Sequence, residues 1–168
     1  MPNSQRRSGE TTEGYVRSLR ALVGSRIIFA PGVRAIVANE AGEVLLQHRT
    51  DFQLWGLPAG AVELDETALQ AVVREVEEET TLRVLEAEPM ALYSGPSQRF
   101  SYPNGDRVQG FAIAFIIRRW QGTPRADGHE GSEVRFFPLA DLPDNIVTIH
   151  RRSLDDYLAY DGTFLLRG

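Results

Sequence analysis

The stretch from Gly60 to Leu82, GAVELDETALQAVVREVEEETTL, holds the densest set of groups able to do chemistry. Its last nine residues, REVEEETTL, set Glu75, Glu78 and Glu79 three and four apart beside Arg74. At helical spacing these three carboxylates share a face. Like charges so close repel and weaken a helix unless cations sit among them. A cluster of hard oxygen ligands suits Mg²⁺ or Mn²⁺, ions that work on phosphates. The chemistry expected is metal-assisted attack on a phosphate ester or anhydride. A solvated acidic helix face is the simpler alternative. On a helical wheel, Leu69, Val72, Val73 and Val76 form the stripe expected to face a core. Gln70 and Glu77 lie opposite, and the three glutamates border the stripe, a position that favours a site.

These residues resemble the box of the Nudix hydrolases, G-x5-E-x7-R-E-U-x-E-E-x-G-U with U apolar. Gly60, Glu66, Arg74, Glu75, Val76, Glu78, Glu79 and Leu82 fall on its fixed positions, and Thr81 stands where the family has glycine. The preceding LWGLPAG is similar to the family's approach to the box. The resemblance implies Glu78 and Glu79 as metal ligands, with Glu75 a third ligand or a general base. It implies that Arg74 orients a glutamate of the box; by spacing, Arg74 could equally neutralise Glu78. Gly60 would hold the metal through its carbonyl, and glycine lets the chain approach an ion closely. Glu66 is expected to fix the loop-to-helix junction, while Glu63 is either a further ligand or solvated. At Thr81 a left-handed helix end suits glycine and not a β-branched residue. Either the turn is reshaped or the helix ends differently.

Positioning such a site takes a proper core, and 168 residues suffice for one domain. We expect a flexible tail over 1–14 and a single domain over 15–168. The net charge of −5 gives no reason to expect nucleic acid as a partner, and an anionic substrate would need local cations. All 18 basic residues are arginine, which excludes Schiff-base and P-loop lysines. Without cysteine there is no thiol catalysis, thiolate zinc or disulfide. No run has the length of a membrane span and no secretory signal opens the chain, so the cytoplasm is the default location.

Tyr15 to Val23 reads as a short amphipathic helix or strand lead-in ended by Gly24. Arg26–Ala30 and Gly32–Ala38 read as β segments broken by Pro31, the second forming a hairpin with the strand at Glu43–His48. Asp65 and Glu66 open a helix running to about Thr80. Leu82 to Tyr93 alternates like a strand. Asn104-Gly105 predicts a type I′ hairpin turn between Arg99–Tyr102 and Val108–Arg118. The continuously apolar FAIAFII, Phe111 to Ile117, predicts a strand covered on both faces. Gly122–Ser132 is loop-like, Val134–Phe137 a last strand and Ile146–Tyr160 a last helix. The fold class expected is α/β, an α/β/α sandwich around a mixed β-sheet, as the resemblance also implies.

Outside the box, the loop DGHEGSE offers Glu133 as a catalytic or metal-binding carboxylate, with Glu130 and His129 beside it and solvation as the alternative. Gly128 and Gly131 would let that loop close as a lid. Arg49 could bind substrate phosphate. Trp55 and Tyr102 could stack on a base or serve the core, and His48 and His150 read as structural. The resemblance implies hydrolysis of the diphosphate in a nucleoside diphosphate linked to another moiety, such as ADP-ribose or a nucleotide sugar. Pro96, fifteen residues after Thr81, lies one short of the place where ADP-ribose-hydrolysing relatives carry a proline. The alternatives are a nucleoside triphosphate pyrophosphohydrolase and a non-catalytic nucleotide-binding module. The partner implied is a small nucleotide, with a homodimer left open and no membrane.

Overall fold

The computed structural model describes residues 14–168. The tail expected over 1–14 therefore lies, apart from Gly14, outside the described residues. Helix α1 (Tyr15–Val23) is followed by strands β1 (Ile28–Val37), β2 (Val44–Arg49), β3 (Leu54–Gly56) and β4 (Ala59–Ala61). Helix α2 (Ala68–Thr80) leads into β5 (Arg83–Tyr93), a 3₁₀ turn (Pro96–Gln98), β6 (Arg99–Ser101), β7 (Arg107–Gln121) and β8 (Gly131–Phe137). Helix α3 (Thr148–Leu158) and strand β9 (Leu165–Arg167) complete the order.

The larger sheet is mixed, in the order β4-β1-β7-β5-β9 with β6 paired to β7; a smaller one runs β3-β2-β8. Alternation along β1 and β7 builds two cores. Val33, Ala35, Val37, Phe115 and Ile117 face Ala71, Val72 and Val76 of α2. Ile36, Ala114 and Ile116 face the other way, toward Leu154 of α3. The result is the expected α/β/α sandwich. Burying Val72 and Val76 stabilises it by about 1.5–3 kcal/mol each. Arg34, also buried, clamps the α3 side by donating to Ile149 O, Ser153 Oγ and Gln98 Oε1 at 2.9, 3.1 and 2.6 Å.

Several expectations change. Pro31 does not break β1, which pairs in parallel with β7 from Ile28 to Val37. The Pro31 carbonyl accepts from Val62 N, so its missing N–H faces the side where β4 has ended, and the β7 ladder loses nothing. The turn at Asn39–Gly42 forms, but β1 and β2 then diverge into different sheets, with an Ala38–Val44 bridge between them. Helix α2 starts later than expected: Thr67 caps it in a capping box with Gln70, and Asp65 sits before it at φ 63°. Leu69 is 50 % exposed, so the buried stripe is Ala71, Val72, Glu75, Val76, Glu79 and Thr80. The hairpin at Asn104-Gly105 has positive φ at Gly105 but not at Asn104, and Gly105 N donates to Tyr102 O. That is a three-residue loop with a left-handed glycine and not a type I′ turn. Strand β9 was not anticipated; three residues carry no readable alternation.

Candidate active site on the second helix

The helix α2 is positioned so that two of its glutamates are buried. Glu79 is 2 % exposed and Glu75 8 %. Glu79 Oε2 accepts from Ala59 N at 2.9 Å, and its Oε1 is buried with no partner among the described residues. Burial pushes its pKa up to about 8, with Glu75 adding to the rise while Gln47, Ala59 N–H and the Arg49 charge oppose it. Burial likewise raises Glu75, against Arg74 and together with the charges of Glu130 and Glu78. Two buried carboxylates held above their usual range leave the site short of positive charge.

Gly60 explains how Glu75 fits. A Cβ there would overlap the Glu75 carboxylate, so only glycine lets the β4 backbone lie against it. Arg74 organises the rest. Its Nε and Nη2 hold Glu66 at 2.8 and 3.0 Å, and Nη2 also donates to Ala61 O at 3.0 Å. Its Nη1 reaches Glu75 at 2.7 Å and Glu78 at 3.1 Å, so it orients one box glutamate and pairs with another. Glu66 also accepts from Glu63 N at 3.0 Å, fixing the entry to α2 as expected. Glu63 is engaged elsewhere, accepting from Tyr15 N at the start of α1 at 2.6 Å. The Glu78 side chain is 61 % exposed and turned outward. No three acidic or imidazole side chains among the described residues are gathered in metal-binding geometry. The orphaned Glu79 oxygen, the Gly60 cradle and a donor set made wholly of oxygen nonetheless fit a hard divalent cation.

Thr81 resolves the box departure. It keeps the left-handed conformation, φ 61° and ψ 8°, and caps α2 by donating its N–H to Glu77 O. The turn is not rebuilt around threonine; Thr81 Oγ1 only adds a 3.3 Å bond to Thr123 O.

The loop carboxylates are placed differently from expectation. Glu133 lies in β8, opposite His48, and not in a loop. Period-two alternation puts it on the side of Arg135, which packs over Trp55 and Phe137, while Gln47 and Val134 face the other way. Its side chain is exposed, 3.8 Å from Arg135. Glu130 is instead the carboxylate whose charge reaches Glu75. The glycine-flanked segment is also pinned: Asp127 accepts from the N–H groups of His129, Glu130 and Gly131, and Thr50 holds the Glu130 carbonyl. It is a capped turn.

Arg49 lies bidentate on Asp51, at 3.0 and 2.8 Å, and over the Phe52 ring. Burial opposes its charge, but Asp51 and the nearby Glu79 more than offset this and raise its pKa. It thus stands beside the box. Trp55 is core, edge-on to Phe137. Tyr102 packs on Phe52 at 5.4 Å between centroids, half-buried near Arg49. His150 is buried and accepts from Leu57 N at 3.1 Å; burial and the charges of Arg34 and Arg49 hold its pKa well down, so it is neutral and structural. Gln47, fully buried beside Glu79, joins the site unannounced by any motif. Its only signal was an amide inside the apolar run VLLQ.

The NUDIX domain model matches residues 28–157. The chain is 34 % identical over 106 residues to an ADP-ribose pyrophosphatase of Methanocaldococcus jannaschii, covering 63 % of this chain and 58 % of that one. It is 29 % identical over 153 residues to an RNA pyrophosphohydrolase of Mesorhizobium japonicum, covering 78 % and 88 %. Among solved structures, a MutT NUDIX hydrolase from Burkholderia pseudomallei superposes with a TM-score of 0.66 at 26 % identity, over 77 % of this chain and 98 % of that one. Nudix hydrolases generally use divalent metals. With its box carboxylates in place on α2, the chain belongs to the Nudix hydrolases and is an enzyme acting on pyrophosphate bonds.

Proposed function

We propose that this enzyme hydrolyses the diphosphate linkage of a nucleoside diphosphate joined to another moiety, with ADP-ribose or a nucleotide sugar as the substrate class. The observation that carries the metal-dependent part is the buried Glu79 oxygen left without a partner beside Gly60 and Glu75. Similarity to an ADP-ribose pyrophosphatase supports the substrate class.

Glu79, Glu75 and the Gly60 carbonyl would hold Mg²⁺ or Mn²⁺, with Glu78 joining by a side-chain rotation that its exposure permits. Such an ion supplies charge neutralisation on the diphosphate and a lowered pKa for an attacking water. In the reaction, the water oxygen bonds to one phosphorus and the bridging P–O bond breaks, its electron pair leaving with the second phosphate. Glu130, or Glu75 where it serves as base and not as a third ligand, takes the water proton, and Arg74 keeps Glu75 oriented. Arg49 offers its guanidinium to a substrate phosphate. A second reading, cleavage of a nucleoside triphosphate to monophosphate and pyrophosphate, draws on 29 % identity over 130 residues to a putative 8-oxo-dGTP diphosphatase of Bacillus subtilis.

The test is formation of nucleoside monophosphate from ADP-ribose, nucleotide sugars and nucleoside triphosphates, with Mg²⁺, with Mn²⁺ and in excess EDTA. Turnover of the first two groups with metal alone is expected. Preference for triphosphates would select the second reading, and turnover of none would favour a non-catalytic nucleotide-binding module. Within the site, Glu130→Gln is expected to lower kcat at least tenfold and Glu133→Gln to leave it nearly normal; the reverse order would restore Glu133 as the loop carboxylate.

A further inference from the structure

Gln47 sits in β2 after three apolar residues, Val44, Leu45 and Leu46, and like them is wholly buried. Leu45, two residues earlier on the same face, packs against the valines of α2. An apolar residue would serve the core at position 47 equally well. Instead the chain places there an amide whose Nε2 and Oε1 both lack a partner among the described residues. Leaving buried polar groups unpaired costs about 1–3 kcal/mol each, so such a position needs a reason. The neighbour supplies one. Glu79 on α2 carries an orphaned carboxylate oxygen, and Gln47 projects from the same face of β2 as Leu45, toward that helix, near enough to lower the Glu79 pKa. Across the sheet, Gly131 makes room: a Cβ there would lie 2.7 Å from Gln47 Oε1. Gly131 has no positive φ, so its backbone makes no demand for glycine; a side chain there would instead push the Gln47 amide from its place.

We propose that Gln47 is a positioning residue for the cation site, its amide orienting the Glu79 carboxylate toward the ion and Gly131 keeping the space that the amide occupies. The proposal rests on the metal-dependent reading of Glu79. Partners that orient metal ligands typically contribute 10–100-fold in metal affinity when removed.

The experiment is Mn²⁺ titration by electron paramagnetic resonance, without substrate, on the wild type, Gln47→Met, Gly131→Ala and the double variant, with metal-free melts alongside. Methionine fills similar volume without an amide. Gln47→Met is therefore expected to melt at or above the wild-type temperature without metal, while its Mn²⁺ dissociation constant rises at least tenfold. A merely structural glutamine would not move affinity and stability in opposite directions. Gly131→Ala should weaken Mn²⁺ binding by crowding the amide, and should add little in the Gln47→Met background. Mn²⁺ affinity within twofold of wild type in Gln47→Met overturns the proposal, whatever Gly131→Ala does. A wild type that binds no Mn²⁺ overturns the metal reading itself, and the role of Gln47 with it.

Discussion

Helices α2 and α3 both bury carboxylates, and Glu79 and Asp156 are treated in opposite ways. Asp156 of α3 is 5 % exposed, accepts from Tyr93 Oη at 2.9 Å and Arg167 Nε at 3.0 Å, and has Arg152 at 3.5 Å. Although burial alone would raise it, Arg167 and Tyr93 hold its pKa below the usual carboxylate range. Glu79 of α2 is equally buried, yet one oxygen is orphaned and its pKa is pushed up to about 8. The first carboxylate is complete within the protein and fastens β9 and β5 to α3. The second keeps an oxygen without a partner among the described residues, where the proposed cation would sit. Burial of an acid is thus no guide to role; whether its charge is already satisfied is.

That contrast breaks most sharply under isosteric neutralisation. Glu79→Gln is expected to lower kcat by about 10²–10⁴-fold, on the scale of losing a catalytic proton acceptor, while the metal-free protein melts no lower than wild type. Full activity in this variant would remove α2 from the mechanism. Asp156→Asn should do the reverse, destabilising the fold by about 1.5–3 kcal/mol, the worth of charged hydrogen bonds, with kcat retained at temperatures where it stays folded. Denaturant titration and steady-state kinetics on both variants check the pair.

Their pH signatures also differ in sign. Glu79 has a folded pKa above its unfolded value, so folding takes up a proton. Its contribution is fully present below about pH 4 and is lost as pH rises toward about 8. Asp156 has a depressed pKa, so its contribution is present above about pH 4 and lost as pH falls below that. Metal-free unfolding curves should therefore flatten on the alkaline side in Glu79→Gln and on the acid side in Asp156→Asn. Unchanged curves in both would show that neither charge is linked to folding. The smallest effect concerns the end of α2. Thr81→Gly relieves a left-handed β-branched residue and should stabilise by roughly 1 kcal/mol, less the weak bond to Thr123. A melting temperature raised by about 2–4 °C is expected; a lowered one would mean that the threonine bond outweighs the strain.

Much of this was legible along the chain. The residues Gly60, Glu66, Arg74, Glu75, Glu78 and Glu79 carry the family box, and the four-residue offset from Arg74 to Glu78 announced their contact, because such offsets fix neighbours on a helix. The run FAIAFII announced a central strand, and β7 lies between β1 and β5. Less legible were features that depend on another element's position. The wheel placed Leu69 in the core, but α2 is rotated so that Glu75 and Glu79 are buried where it meets β4. The acidic turn before β8 looked like a lid, yet Asp127 and Thr50 pin it, and pairing with β2 turns Glu133 away.

By itself, then, the sequence determined the α/β class and the residue types at the site, which follow from local spacing and periodicity, and it carried the resemblance to the family box. It could not determine which glutamates lose their water. That required β4 to come within contact of α2 at Gly60, and β2 to place Gln47 beside Glu79. Desolvation depends on what packs around a group from distant parts of the chain, and it is desolvation that raises Glu75 and Glu79 above ordinary carboxylates.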